Sequence, residues 1–216
     1  MKTPKISEAV VRRLPVYLRF LSELSKRNIH MVSSQDLGQK LNVNPAQIRK
    51  DLAYFGEFGK KGIGYDVPYL IEKIRQILKL DQVIPVVLVG AGNLGRALCN
   101  YNAYLQDNMK IVAVFDSSPH RIGESINNLK IEPMQLLKDK IEHHRVRIGI
   151  ITVPAPEAQT VAQQMVDGGI EAILNFAPVI IKVPDSIRVH HADFTTELQS
   201  LAYYLNSQAE SAGEAD

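Results

Sequence analysis

Apolar residues recur at three- and four-residue spacing between Glu8 and Arg27, at Val10, Val11, Leu14, Tyr17, Leu18, Leu21 and Leu24. This spacing predicts one amphipathic helix, with Pro15 as its irregularity. Ser33-Ser34-Gln35-Asp36 then offers a serine cap with an acid three positions on, ahead of Leu37 and Leu41. A short second helix is expected there, ending near Asn42. Asn44-Pro45 supplies another cap with proline at the first helical position, and Ile48, Leu52 and Phe55 form the buried stripe of a third helix. Further along, the period changes to short β-branched runs alternating with helical stretches: Val86 to Val89 (strand), Arg96 to Tyr104 (helix) and Ile111 to Phe115 (strand). Pro133 to Glu142 (helix), Val146 to Thr152 (strand), Pro156 to Asp167 (helix) and Ala172 to Leu174 (strand) continue the series. Such alternation predicts a parallel, helix-covered sheet that closes near Pro184. A last helical stripe, Phe194, Leu198, Leu201 and Leu205, follows Asp193.

The charge divides along the same line. Of the 216 residues, the first 80 hold 15 Lys/Arg against 7 Asp/Glu, whereas the rest hold 10 against 16, so a net charge of +2 conceals a basic module beside an acidic one. A polyanion met on one side only would produce this split. No apolar run approaches the roughly 18 residues of a membrane span. The single cysteine, Cys99, excludes an intramolecular disulfide, and a cytoplasmic setting is expected.

The basic module carries the pattern of a winged helix. Its tight helix-turn-helix sets Ala46, Gln47, Lys50 and Tyr54 opposite the Ile48 stripe, with Arg49 on the flank. Glutamine can read adenine, Arg or Lys can read guanine or a phosphate, and base contacts concentrate at the amino end of a recognition helix. The glycine-rich stretch Gly56 to Tyr65 permits a hairpin with Lys60 and Lys61 at its tip, where a wing meets the DNA backbone. Ser33 and Ser34, at the start of the second helix, complete the candidate DNA-binding set. A small helical bundle with a solvated basic face is the plain alternative.

In the acidic module the strand Val86 to Val89 enters Gly90-Ala91-Gly92-Asn93-Leu94-Gly95 and a helix follows. Gly90 makes the turn, Gly92 admits a pyrophosphate close to the backbone, and Gly95 packs helix on strand, with the phosphates at the helix amino terminus. Asp116 ends the next strand, 21 residues after Gly95, where a carboxylate would accept the ribose hydroxyls and repel a 2′-phosphate. NAD(H) is thus expected over NADP(H), with nearby Arg121 able to soften the preference. Thr152-Val153-Pro154 and Asn175 fall at carboxyl ends of strands, the ligand-binding edge of such sheets, though loop punctuation has the same composition.

About 30 residues remain after Pro184, too few for a substrate domain, and the histidines lack the spacing of a metal site or triad. A catalytic role is therefore not expected. A small NAD-dependent oxidoreductase with a helical accessory domain, and a binding module for coenzyme A or another nucleotide, remain as rivals. Cys99 lies inside the helix after the glycine loop, where a small buried residue packs on the sheet.

Arg49-Lys50-Asp51-Leu52-Ala53-Tyr54-Phe55-Gly56, Gly62-Ile63-Gly64-Tyr65, the glycine loop, Thr152-Val153-Pro154 and Asn175-Phe176-Ala177-Pro178 together resemble the Rex family of redox-sensing transcriptional repressors, from about Pro4 to Asn206. Lys50 and Leu52 are mild departures within the recognition helix. The resemblance implies an α/β protein: a winged-helix DNA-binding domain over 1–80, a Rossmann-type NAD(H) domain over 81–190, a carboxy-terminal dimerisation helix over 191–207 exchanged between subunits, and a disordered tail over 208–216. It further implies a homodimer on a pseudo-palindromic operator, retained with NAD+ and released by NADH. Phe194 would close the pocket over the uncharged reduced ring. By the same resemblance Arg19, Tyr101 and Asp193 form a polar switch set.

Overall fold

The computed structural model describes residues 6–56, 58–60, 64–104 and 108–213. It divides into two compact units, Met1–Gln82 and Val83–Asp216.

The first unit holds four helices, α1 (Glu8–Lys26), α2 (Ser34–Leu41), α3 (Pro45–Ala53) and α4 (Val67–Ile77). Its three short strands, β1 (Met31–Val32), β2 (Gly59–Lys60) and β3 (Gly64–Asp66), form an antiparallel sheet in the order β1-β3-β2. α1 passes through Pro15 without ending and buries Val10, Leu14, Tyr17, Leu21 and Leu24. Ser33 and Asp36 form a reciprocal capping box, so two orphan amides of the α2 terminus are satisfied. The Asn44 side chain accepts from the Ala46 amide at 2.8 Å, and Pro45 opens α3. β1 and α4 add to the elements expected above, and in α4 Val67, Leu70, Ile71 and Ile74 do follow the three-and-four spacing of a helix face. α4 is nucleated by Asp66, whose carboxylate accepts from the Tyr69 amide at 2.8 Å, and it buries Val67, Leu70 and Ile74.

A charge sits inside this unit. Asp51 of α3 is 0% exposed. Arg13 of α1 donates to it through Nε at 2.6 Å and Nη2 at 2.8 Å, the Tyr17 hydroxyl at 2.8 Å and Gln47 Nε2 at 2.6 Å. Burial pushes the Asp51 carboxyl up, but the hydrogen bonds from Arg13, Gln47 and Tyr17 outweigh it and hold the group below the usual carboxylate range.

The second unit is a seven-stranded sheet in the order β10-β9-β8-β4-β5-β7-β6. Its strands are β4 (Ile84–Val89), β5 (Met109–Asp116), β6 (Ser125–Ile126), β7 (Leu129–Pro133), β8 (Ile148–Ile151), β9 (Ala172–Asn175) and β10 (Arg188–His191). All pair in parallel except β6, which is antiparallel to β7. Alternate residues of β4 feed two cores: Val87 and Val89 join α6 (Leu137–His144) and α7 (Ala155–Asp167), while Val86 and Leu88 join Cys99 of α5 (Asn93–Tyr104). β4 pairs with both β5 and β8, so the chain builds outward from β4 first one way and then the other. The crevice at that reversal is where open α/β sheets take ligands.

Three expectations need correction. The sheet does not close near Pro184, because Val189 in the alternating run Arg188–His191 packs against the core and adds β10 beside β9. The helix expected from Pro133 begins as a 3-10 turn, Met134–Leu136, with α6 proper starting at Leu137, since Pro133 is still paired to Asp116 in the sheet. The last helix, α8 (Phe194–Gly213), runs past Gln208, where composition places the start of a tail.

Two outcomes are expected for the buried carboxylate. Tyr17→Phe should cost about 1.5 kcal/mol in urea unfolding, the value of one hydrogen bond to a charged acceptor. Because the folded carboxyl titrates below the unfolded one, its contribution is complete above the ordinary range near about pH 4 and is lost as the pH falls through the folded value. Urea midpoints of the full chain, followed by circular dichroism, should fall over that acid window, and Asp51→Asn should flatten this part of the fall.

Candidate functional site

β4 is followed by Gly90, whose φ of +107° few side-chain-bearing residues adopt. A Cβ there would lie 2.7 Å from the backbone of Thr152, the residue that follows β8. Gly95 is tighter still: its Cβ would stand 1.9 Å from the Gly90 carbonyl oxygen. Thr152 Oγ1 donates to that same carbonyl at 2.8 Å, so the turn, α5 and the end of β8 form one close contact. Gly92 is different, because nothing lies within 4 Å of the Cβ it lacks. Its space faces a cavity of about 570 Å³ at the carboxyl ends of the strands, a volume suited to a small-molecule ligand.

Asp116 borders this cavity from the end of β5. One oxygen accepts from the Ala91 amide at 2.7 Å, the other from the Ser118 amide at 2.8 Å, and Arg121 Nη1 reaches the carboxylate at 3.2 Å. A carboxylate has about four acceptor positions, so one position remains for a ligand. Across the cavity stand Val153, Pro154 and one face of α7: Glu157, Thr160, Val161 and Gln164, with Met134 beside them.

In the first unit, the exposed face of α3 presents Ala46, Arg49, Lys50 and Ala53, followed by Tyr54 at its cap. Arg49 Nη1 donates to Ser34 Oγ at 2.8 Å, which joins α3 to the start of α2 and places a guanidinium at that helix terminus.

Relatives place this architecture. The chain is 58% identical over 204 residues to the redox-sensing transcriptional repressor Rex of Brevibacillus brevis, covering 94% of this chain and 99% of that protein. The chain belongs to the Rex family. Rex of Pelotomaculum thermopropionicum is 46% identical and is matched over 99% of this chain and 100% of its own length. Among solved structures, RSP in complex with β-NAD+ and operator DNA superimposes with a TM-score of 0.88 at 36% identity, covering 97% of this chain and 96% of that one. RSP in complex with β-NADH gives 0.86 at 35% identity over 96% and 98%. Residues 5–53 match the family model described as "Putative DNA-binding protein N-terminus", and residues 81–179 match "CoA binding domain". Both of these Rex relatives are named redox-sensing transcriptional repressors.

Within this Rex chain, six of the residues expected around a dinucleotide line the cavity: Gly90, Gly92, Asp116, Thr152, Val153 and Pro154. Ala91 is buried and gives its amide to Asp116, Asn93 and Leu94 open α5, and Gly95 forms the helix–strand contact. Asn175 does not reach the cavity wall. Its amide donates to the Ala177 and Val179 carbonyls at 3.1 and 2.9 Å, its oxygen accepts from the Ala177 amide at 3.0 Å, and it touches His191 Nδ1 at 3.1 Å. Phe194 is also away from the wall and is 73% exposed on α8, in a row with exposed Leu198, Leu201 and Leu205. Arg19 and Tyr101 are exposed on α1 and α5. Asp193 caps α8 through the Thr195 amide and the Thr196 hydroxyl, at 2.9 Å each. The Thr196 hydrogen bond, then the backbone amide of Thr195, holds the Asp193 carboxyl below its ordinary value.

On the DNA side, Gln47 is turned toward Asp51 and Ser33 is occupied by its capping box. Lys60 is described through its β2 backbone only, and Lys61 lies outside the described residues. The α7 residues were missed by sequence reasoning, although Glu157, Thr160, Val161 and Gln164 follow the three-and-four spacing of a single helix face. Cys99 is buried, and burial pushes its thiol up to about 11.

The glycines should separate by stability alone. Gly95→Ala should lower unfolding free energy by about 3 kcal/mol or more, because two backbone segments must part. Gly92→Ala should leave the unfolding free energy in urea within about 0.5 kcal/mol of the parent, as its methyl enters open space.

Proposed function

We propose that this Rex protein acts in the cytoplasm as a homodimer that holds a pseudo-palindromic operator while NAD+ is plentiful and releases it when NADH fills the cavity beside Gly92. The open approach at Gly92, with a partly unoccupied carboxylate at Asp116, carries the reading: a pyrophosphate needs the first and a ribose diol the second. Coenzyme A, which the family model's description names, is the weaker candidate because RSP, so similar over the whole chain, is solved with β-NAD+ and β-NADH.

The exposed row Phe194, Leu198, Leu201 and Leu205 supports the dimer. Four large apolar side chains on one helix face gain most when a second copy covers them. Phe194 then closes the cavity from the partner or on conformational change, and an apolar side chain there favours the uncharged reduced ring over the charged oxidised one. Arg19, Tyr101 and Asp193 rearrange as the switch between the two states. Arg49, Lys50, Ala46, Tyr54, Ser34 and the wing lysines Lys60 and Lys61 contact the duplex, with base edges reached from α3 and phosphates from the wing. NADH can weaken operator binding only as far as it prefers the released state, and DNA must weaken NADH binding by the same factor.

A labelled operator duplex at fixed salt, with no ligand, with NAD+ and with NADH, tests the reading. Release by NADH alone is the expected result; retention in all three conditions, or oxidation of NADH on addition of carbonyl substrates, would overturn it. Gly92→Ala should keep ligand-free operator binding while its NADH affinity falls at least about tenfold, read by calorimetry. Phe194→Ala should narrow the preference for NADH over NAD+, and an unchanged ratio would remove Phe194 from the pocket.

A further inference from the structure

Gln47 occupies the third position of α3, where a glutamine is suited to adenine, yet its side chain is already engaged. Its Nε2 donates to Asp51 Oδ1 at 2.6 Å, one helical turn on. The same oxygen takes Arg13 Nη2 at 2.8 Å, while Oδ2 takes Arg13 Nε at 2.6 Å and the Tyr17 hydroxyl at 2.8 Å. All of the roughly four acceptor positions of this carboxylate are therefore filled. Three of the four donors come from α1, so one buried group ties the face of α3 to the preceding helix.

Rotation of α3 about its axis decides which side chains point outward. Apolar burial, supplied here by Ile48 and Leu52, is non-directional and tolerates some rotation. A forked guanidinium–carboxylate pair is directional and tolerates little. We propose that Asp51 is the positioning residue that fixes the rotation of α3, and that Gln47 belongs to this clamp and not to the base-reading set. The inference rests on α3 being the DNA-reading helix. It makes Arg13 and Tyr17, which lie on another helix, determinants of operator specificity without contact to a base.

The probe is the duplex that the parent protein selects from a randomised library, together with all its single base-pair substitutions and a scrambled duplex. Gln47→Ala should lower the preference for the selected over the scrambled duplex about threefold, with the loss shared among the base pairs and not concentrated at one. Arg13→Lys keeps a cation but loses the fork. It should reduce the ratio of selected to scrambled affinity about tenfold while the salt slope stays unchanged, since no phosphate contact is removed. A purely structural role would leave that ratio intact in the folded variant. Should Arg13→Lys fail to fold, Tyr17→Phe, which keeps the ring in the core, takes its place with an expected fall of about threefold in the same ratio. Loss of preference at one base pair alone in Gln47→Ala, or an unchanged ratio in folded Arg13→Lys or Tyr17→Phe, would overturn the inference. If the parent selects no duplex at all, the reading of α3 as a DNA-binding helix fails first, before any variant is made.

Discussion

The carbonyl oxygen of Gly90 stands where a side chain on Gly95 would have to be, and this close approach governs the second unit. It lets α5 begin directly against the end of β4, and Thr152 completes the contact from β8 by donating to the same oxygen. Once these three segments meet, the amides at the start of α5 and the carboxylate ending β5 must face a common crevice. The cavity is thus a by-product of one backbone contact that only glycine permits. Asp116 contributes twice, shaping the turn through the Ala91 amide and presenting a remaining acceptor position to the crevice.

The first unit solves a different problem. A helix of nine residues has little apolar surface with which to define its own orientation, and its outward face must be set within a fraction of a turn to meet a groove. A buried carboxylate is costly unless every acceptor position is filled, and here the filling comes largely from α1. Such a group is only weakly favourable as a source of stability, but it penalises every rotation that would break the fork. The sheet next to it, through the β2–β3 hairpin, presents the wing from the same core that Tyr65 and Val32 complete.

What could be read in the sequence was whatever local chemistry dictates. Ser33 with Asp36 and Asn44 with Pro45 mark helix starts because they satisfy amides within their own turn. The glycine loop is equally local: Gly90 and Gly95 announce a backbone approach before the partner is known. Asp51 could not be read this way, since a charged residue in a basic helix looks solvated until Arg13 and Tyr17 arrive from 38 and 34 residues away. The hydrogen bond from Gln47 to the same carboxylate is hidden for the same reason. The polar face of α7 reads as solvent-exposed by pattern and becomes a cavity wall only because the sheet turns it inward. Phe194 stands in the single chain in an exposed apolar row of α8, away from the cavity it is expected to close, and no local pattern marks what such a row will meet.

Cys99 sits on the buried face of α5, and burial pushes its thiol up to about 11. At neutral pH almost none of it is thiolate, and the thiolate is the nucleophile that attacks peroxides and disulfides. A Rex protein whose single cysteine is held this way offers oxidants little thiolate. What it registers is how many electrons the cell holds in its soluble carrier. That signal leaves no covalent mark, needs no repair enzyme and is erased the moment the carrier is reoxidised.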